Sequence, residues 1–311
     1  MINLQRLNTW IRGSAASTNQ AKQLLASLLT MAWFVEARDP YTGGHLWRVS
    51  RYARLLAEHA GLPHAEVARI ELGGFLHDLG KIGVPDAILQ KKERLTDEEY
   101  TIIKTHPDIG LRMLAGHPLA ALVRDAVHLH HERPDGQGYP KGLRGGAVPV
   151  AARIVGICDA FDAMTSQRPY RQGMPIDLAL GILRREKGTQ FDEKFADVFL
   201  ALGEAAFLGH VHGHSDEGIP LQSCPTCGPT LVLRRGLTAG QNIYCRNCAG
   251  EFQLNAGDGA LVARPTGRQG SRVDLEPEAD VDLIQRTVSA AVASLPAREL
   301  MEAAMIREDF V

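Results

Sequence analysis

From about Asn19 to Leu208 the apolar residues return at helical spacing and rarely alternate in the manner of a strand. Leu24, Leu25, Leu28 and Leu29 form one such stripe, Val49, Tyr52, Ala53 and Leu56 a second, and Leu178, Ile182 and Leu183 a third. That period confines the region to an all-α fold. Helix punctuation agrees. Thr96 stands as an N-cap before the acidic first turn Asp97, Glu98 and Glu99, and Pro107 and Pro118 fall where helices stop or start. The Gly- and Pro-rich segment 133–148 is expected as an ordered loop. After Leu208 the composition changes. The organisation expected is an N-terminal segment 1–18, a helical domain 19–208, a polar linker 209–222, a cysteine-bearing module 223–254, a flexible linker 255–280 and an amphipathic C-terminal helix 281–311. His210, His212 and His214 in the first linker read as solvated loop rather than a metal tract.

Five histidines and three aspartates fall in short clusters along the helical part: His45, the pair His77-Asp78 followed by Lys81, His106, His130-His131, and Asp159 with Asp162. Neutral imidazoles mixed with carboxylates suit Fe, Mn or Zn, whereas an all-oxygen set would suit Mg or Ca. Adjacent residues on a helix point about 100° apart, so His77 and Asp78 both reach a metal only by straddling a site near a helix terminus. That requirement favours two ions, which can hold the attacking and leaving oxygens of a phosphoester. Lys81 could neutralise a phosphate oxygen.

Among the 311 residues, 45% are hydrophobic and 23% charged, with a formal charge of -2, so no broad basic field draws nucleic acid. The most apolar stretch, Leu24 to Val35, is well short of the ~20 residues that span a bilayer, and a cytoplasmic protein is expected. Five cysteines are too few for a disulfide framework. Four of them make two CxxC pairs, Cys224 with Cys227 and Cys245 with Cys248, separated by strand-like runs. Two knuckles of this kind bring four thiolates to one structural zinc, without which so small a module lacks a core. Cys158, inside an apolar run, reads as a small buried hydrophobe.

Several separated motifs together resemble the HD-GYP family of metal-dependent phosphohydrolases. They are Asp39-Pro40-Tyr41-Thr42-Gly43-Gly44-His45, His77-Asp78-Leu79-Gly80-Lys81-Ile82-Gly83, Thr105 to Gly110, the stretch from His130-His131-Glu132 to Gly138-Tyr139-Pro140, Asp159 to Thr165 with Arg168-Pro169-Tyr170-Arg171, and Gly188 to Asp192. The resemblance spans roughly Asp39 to Asp192. It implies a mainly α fold, an HD-type helical bundle, to which this chain adds a small β zinc ribbon and a C-terminal helix. By resemblance, His45, His77, Asp78, His106, His130, His131 and Asp159 are metal ligands, with Asp78 the bridging carboxylate. Asp78 and Lys81 carry catalysis, Lys81 contacting the scissile phosphate. Asp39, Gly138, Tyr139, Arg168 and Arg171 hold the guanine and phosphate groups of cyclic di-GMP, which relatives cleave to pGpG and often to GMP. Glu132, Asp135 and Asp162 are expected to orient imidazoles or bond loop backbone.

Two metals are expected, iron or manganese by resemblance, besides one zinc in the ribbon. Some relatives carry a glutamate four residues before the first histidine that supports a third ion, and here Tyr41 takes that place. Gln190 replaces a more usual histidine and His128 is an extra; both are read as peripheral. The alternatives are an HD phosphohydrolase for another nucleotide, other cyclic dinucleotides included, or a non-catalytic cyclic di-GMP effector. The ribbon is read as a scaffold or regulatory contact rather than a nucleic-acid binder. A sensory domain before residue 19 is not expected, and input is expected through the ribbon, the terminal helices, a partner chain or metal status. The amphipathic first and last helices could form a homodimer interface.

Overall fold

The computed structural model describes residues 4–38, 43–91, 93–167, 171–257 and 260–296. Its first helix, α1 (Leu4–Glu36), runs through the boundary expected at residue 18 and buries Leu25, Leu28, Leu29, Ala32 and Val35 on one face. Next come α2 (His45–His59) and α3 (His64–Leu76), which pack against each other, and a 3-10 turn at Leu79–Gly83. Short helices α4 (Asp86–Leu89) and α5 (Asp97–Ile103) follow, the latter held by a full capping box between Thr96 and Glu99. The bundle is completed by α6 (His106–Leu114), α7 (Ala120–Leu129), α8 (Val150–Thr165), α9 (Ile176–Arg185) and α10 (Glu193–Glu204).

Two apolar cores share these helices. One lies between α2, α8 and α10, where Tyr52, Phe161 and Phe199 meet edge to face. The other joins α1, α3 and α7 through Leu25, Leu28, Leu72, Leu76 and Val127, and closes with Ile284 and Val288 of α11 (Val281–Ser294), a helix that returns onto α1 from the far end of the chain. The metal-ligand candidates sit at the ends of α2, α3, α6 and α7, except Asp159 within α8.

The cysteine module is built from short antiparallel strands. β1 (His214–Asp216) pairs β2 (Ile219–Pro220), β3 (Gln222–Cys224) pairs β4 (Gly228–Leu231), and β5 (Asn242–Tyr244), β6 (Gly250–Ala256) and β7 (Leu261–Gln269) form a three-stranded sheet. Both expected linkers therefore need correction. Residues 209–222 hold a hairpin, and most of 255–269 is strand. The second is hard to see in sequence because β7 carries Pro265 and Gly267, residues an edge strand tolerates and a central one does not. The C-terminal helix expected at 281–311 is described as far as Ser294, and residues beyond 296 lie outside the described part.

Gly80 sets how closely the 3-10 turn meets α6. A Cβ built there would stand 1.8 Å from the His106 carbonyl oxygen and 2.5 Å from the Gly110 nitrogen, and backbone cannot swing aside as a side chain can. Gly80→Ala should cost about 3 kcal/mol or more and separate Asp78 from His106. Denaturant unfolding checks this, and a loss below ~1 kcal/mol would show that the two segments are not locked together.

Candidate metal centre

α3 ends at Leu76, and the backbone turns just where two ligands are needed. His77 keeps helical angles as the C-cap, whereas Asp78, at φ -92 and ψ 7, leaves the helix for the 3-10 turn. Adjacent side chains that a continuing helix would splay are thus aimed at one point.

Around that point stand His45 at the start of α2, His106 at the start of α6, His130 and His131 just after α7, and Asp159 in the middle of α8. Asp78 divides its carboxylate. Its Oδ2 lies 3.6 Å from His45 Nε2 and 3.4 Å from His77 Nε2, while Oδ1 faces His106 Nε2 at 3.5 Å. Asp159 Oδ1 closes the other side, 3.5 Å from His45 Nε2 and 3.7 Å from His77 Nε2. His106 and His130 approach each other at 3.3 Å through their Nε2 atoms. Ligating atoms fall into three overlapping triads: His45, His77 and Asp78; His77, His130 and Asp159; His106, His130 and His131.

The outward nitrogens explain why the inward ones are available. His45 Nδ1 lies 2.8 Å from Asp162, His77 Nδ1 2.8 Å from the Gly74 carbonyl, His106 Nδ1 2.7 Å from the Ile103 carbonyl and His130 Nδ1 2.9 Å from the Ala126 carbonyl. Those acceptors take the ring protons, which leaves each Nε2 lone pair directed to the centre. Fully buried His77 Nε2 has no hydrogen-bond partner among the described residues. An orphaned buried acceptor among converging imidazoles is what a divalent cation fits.

Electrostatics point the same way. Burial lowers the pKa of His106, drives that of His130 well down and takes His131 to about 3, so these rings are neutral. Burial also opposes charge on His77, yet Asp78 and Asp159 outweigh it and raise the ring to about 10, while both carboxyls stay well below their usual range against the same burial. Two buried carboxylates, Asp78 and Asp159, beside these rings present a negative charge that a divalent cation would offset.

The loop after α7 closes over the centre. Glu132 accepts from the Lys141 and Leu143 amides at 2.5 and 2.8 Å, and Asp135 accepts from the Gln137 amide at 2.9 Å and pairs with Arg133. Tyr139 stacks on His131 with ring centroids 4.6 Å apart, and burial raises its phenol, which remains a donor. Gly138 is dictated by packing, because a Cβ there would sit 2.4 Å from the Arg133 nitrogen. Lys81 Nζ lies 2.5 Å from Asp78 Oδ2. Arg171 donates to the Ala163 and Met164 carbonyls at the end of α8. Asp39, Tyr41 and Arg168 lie outside the described residues.

Two residues beside the centre escaped the motif reading, buried Arg48 and half-buried Glu36. Arg48, one turn after His45, grips Asp162 through Nε at 2.6 Å and a terminal nitrogen at 3.0 Å. Glu36, where α1 ends, accepts from the Leu46 amide at 2.9 Å; burial raises its pKa to about 7. An arginine at a buried helix position beside a ligand was the available signal for the first.

In the cysteine module all four Sγ atoms of Cys224, Cys227, Cys245 and Cys248 lie within 4.8 Å of one another, and Cys224 and Cys248 are 3.6 Å apart. Thiolates around a tetrahedral zinc stand about 3.8 Å apart, given Zn–S bonds of about 2.3 Å, so the donor set fits one.

A family model described as HD domain matches residues 29–195. The cyclic di-GMP phosphodiesterase response regulator RpfG of Xanthomonas campestris pv. campestris is 42% identical over 188 residues, covering 60% of this chain and 50% of that protein. A Vibrio cholerae cyclic di-GMP phosphodiesterase is 35% identical over 213 residues, 63% of this chain and 43% of that one. The 3'3'-cGAMP-specific phosphodiesterase 3 of the same organism is 38% identical over 175 residues, 56% and 37%. The chain thus spans half or less of each relative's length. HD phosphohydrolases use divalent metals, and candidate sites of both donor types are present. No helix among the described residues is long and apolar enough to cross a membrane. With more than half of its residues matched and the imidazole and carboxylate centre assembled from the matched part, the chain belongs to the HD domain family, in its HD-GYP branch.

Proposed function

We propose that the chain is a metal-dependent phosphodiesterase that hydrolyses cyclic di-GMP to pGpG, GMP or both, through His45, His77, Asp78, His106, His130, His131 and Asp159 as ligands of two divalent ions. The observation that carries the reading is the Asp78 carboxylate turned with one oxygen to His45 and His77 and the other to His106. Bound there, two ions supply a water nucleophile at neutral pH and neutralise phosphate oxygens. The chain does the rest. Glu132 and Asp135 hold the loop that carries Tyr139 over the centre, Tyr139 presents a hydroxyl donor beside His131, and the Lys81 ammonium adds positive charge where the phosphate must enter. Water adds to phosphorus in line with the departing ribose oxygen, the P–O bond to that oxygen breaks, and the ribose hydroxyl leaves with a proton. Asp39, Gly138, Tyr139, Arg168 and Arg171 are assigned to the nucleotide. Iron or manganese is preferred at this centre and zinc at the four cysteines. A cytoplasmic setting and a partner contact or homodimer through the ribbon and terminal helices complete the reading.

One other substrate has specific support, because a relative 38% identical is named for 3'3'-cGAMP. Anaerobic purification, elemental analysis and parallel incubation with both dinucleotides test the proposal. The expected result is about two Fe or Mn and one Zn per chain, with cyclic di-GMP cleaved faster. Faster cleavage of 3'3'-cGAMP would change the substrate. A fully metallated chain that binds but cuts neither would make it an effector.

A further inference from the structure

The cysteine module presses on the two residues that precede His45. Gly43 and Gly44 lead into α2, with Gly44 as its N-cap in the left-handed conformation at φ 75 and ψ 5. A Cβ built on Gly44 would stand 2.7 Å from Ser215 Cα and 3.0 Å from the His214 carbonyl oxygen, and one on Gly43 would stand 2.6 Å from Val232 Cγ2. Two consecutive glycines have the most backbone freedom to lose, and Gly44 offers no side chain to cap the helix, so what fixes them comes from outside α2. Arg48 adds a staple. One of its terminal nitrogens donates both to the Gly43 carbonyl at 2.8 Å and to the His214 carbonyl at 3.0 Å.

Both walls trace back to the thiols. Leu231, the last residue of β4, is buried with Cys224, Cys245 and Phe252, and strand alternation turns the next residue, Val232, outward to Gly43. Thr230 Oγ1 lies 3.6 Å from Cys245 Sγ. The β1 hairpin hangs from the same stretch of chain, where Ser215 Oγ donates to the Leu233 carbonyl at 3.4 Å and buried Asp216 pairs with Arg235 at 2.9 Å. The buried cluster of Cys224, Leu231, Cys245 and Phe252 is too small to hold these strands without an ion on the thiols. The other ligand candidates have different supports: α6 packs on the 3-10 turn and on α7, and α7 packs on α3 and α8.

We propose that Val232 and the His214 carbonyl are positioning groups for His45, and that an ion on the four cysteines, by keeping them in place, keeps the His45, His77 and Asp78 half of the metal centre able to fill. Loss of that ion frees Gly43 and Gly44, lets the first turn of α2 fray and withdraws His45, while His106, His130 and His131 keep their places. The inference rests on the two-ion and zinc readings given above.

Manganese separates the two sites, because this hard ion is poorly held by thiolates. Equilibrium dialysis of the zinc-loaded full chain against Mn²⁺, with electron paramagnetic resonance of the bound ions, compares wild type with Cys245→Ser/Cys248→Ser, Val232→Ala and Val232→Thr. Helix content by circular dichroism checks that the bundle is folded. Wild type is expected to hold about one Zn and about two spin-coupled Mn, and the double serine variant about one uncoupled Mn. Val232→Ala leaves the cysteines intact and should weaken one of the two Mn about 10-fold, and Val232→Thr, which keeps the branched shape, should restore it. Two spin-coupled Mn held at wild-type affinity in either the serine or the alanine variant would overturn the inference alone. Loss of both ions together from the serine variant would overturn it too, since the module would then support the whole centre and not His45. Wild type without zinc, or with fewer than two Mn, would overturn the metal readings and this inference with them.

Discussion

Asp78→Asn is expected to lower phosphodiesterase turnover by about 10³-fold or more and to reduce the metal content of the imidazole centre. Asparagine keeps the volume of the side chain and removes only what matters. One of its two heads becomes an NH₂ donor, so it can no longer face His45 and His77 with one anionic oxygen and His106 with the other. It also ends the ion pair with Lys81 and the field that holds charge on His77. The bundle should stay folded, because the surrounding imidazoles are anchored through their Nδ1 atoms to acceptors that Asp78 does not touch. Elemental analysis beside a turnover assay separates the effects. Turnover within tenfold of wild type at full metal load would remove Asp78 from the reaction. His77→Ala should behave in the same direction, since it deletes the orphaned Nε2 shared by two of the ligand triads.

Arg48→Met should destabilise the chain by about 3–5 kcal/mol and also weaken metal binding about 10–100-fold. Arg48 is 2% exposed and Asp162 is fully buried. Besides its two bonds to Asp162, Arg48 donates to the Gly43 carbonyl at 2.8 Å, the His214 carbonyl at 3.0 Å and Ser166 Oγ at 3.1 Å. Methionine fills similar space but leaves the Asp162 carboxylate in the interior without its cation. The cost reaches the metal centre because Asp162 is also the acceptor for His45 Nδ1. Adding Asp162→Asn to Arg48→Met should recover part of the stability, since the amide oxygen can still accept from His45 and no charge is left buried. Chemical denaturation measures the first effect and metal titration the second. A loss under ~1 kcal/mol for Arg48→Met would mean that water reaches Asp162 and that the pair is not the anchor described here.

Much of this was legible along the chain. Stripes such as Leu24, Leu25, Leu28 and Leu29 announced helices because a helix exposes its packing as a simple period. The Thr96 to Glu99 cap was readable for a similar reason, being a bond between residues three apart. Four cysteines in two CxxC pairs constrain their own geometry, and their sulfurs do come together. Strand β7 was not legible, because Pro265, Gly267 and its arginines look like linker until β6 supplies a partner. The hairpin at 214–220 was missed for the same reason: strands of two or three residues have too little length to show a period.

The sequence by itself determined the helical class of the first two thirds and the kinds of atom available to a candidate metal centre, since these follow from residue type and short-range spacing. Tertiary structure alone decided how those atoms meet. Arg48 and Asp162 are separated by 114 positions and His45 and Asp162 by 117, so no local pattern could join them. Which nitrogen each histidine turns inward depended on a carbonyl or carboxylate delivered by the folded backbone. The turn that aims Asp78 beside His77 needed the bare Gly80 pressed against α6.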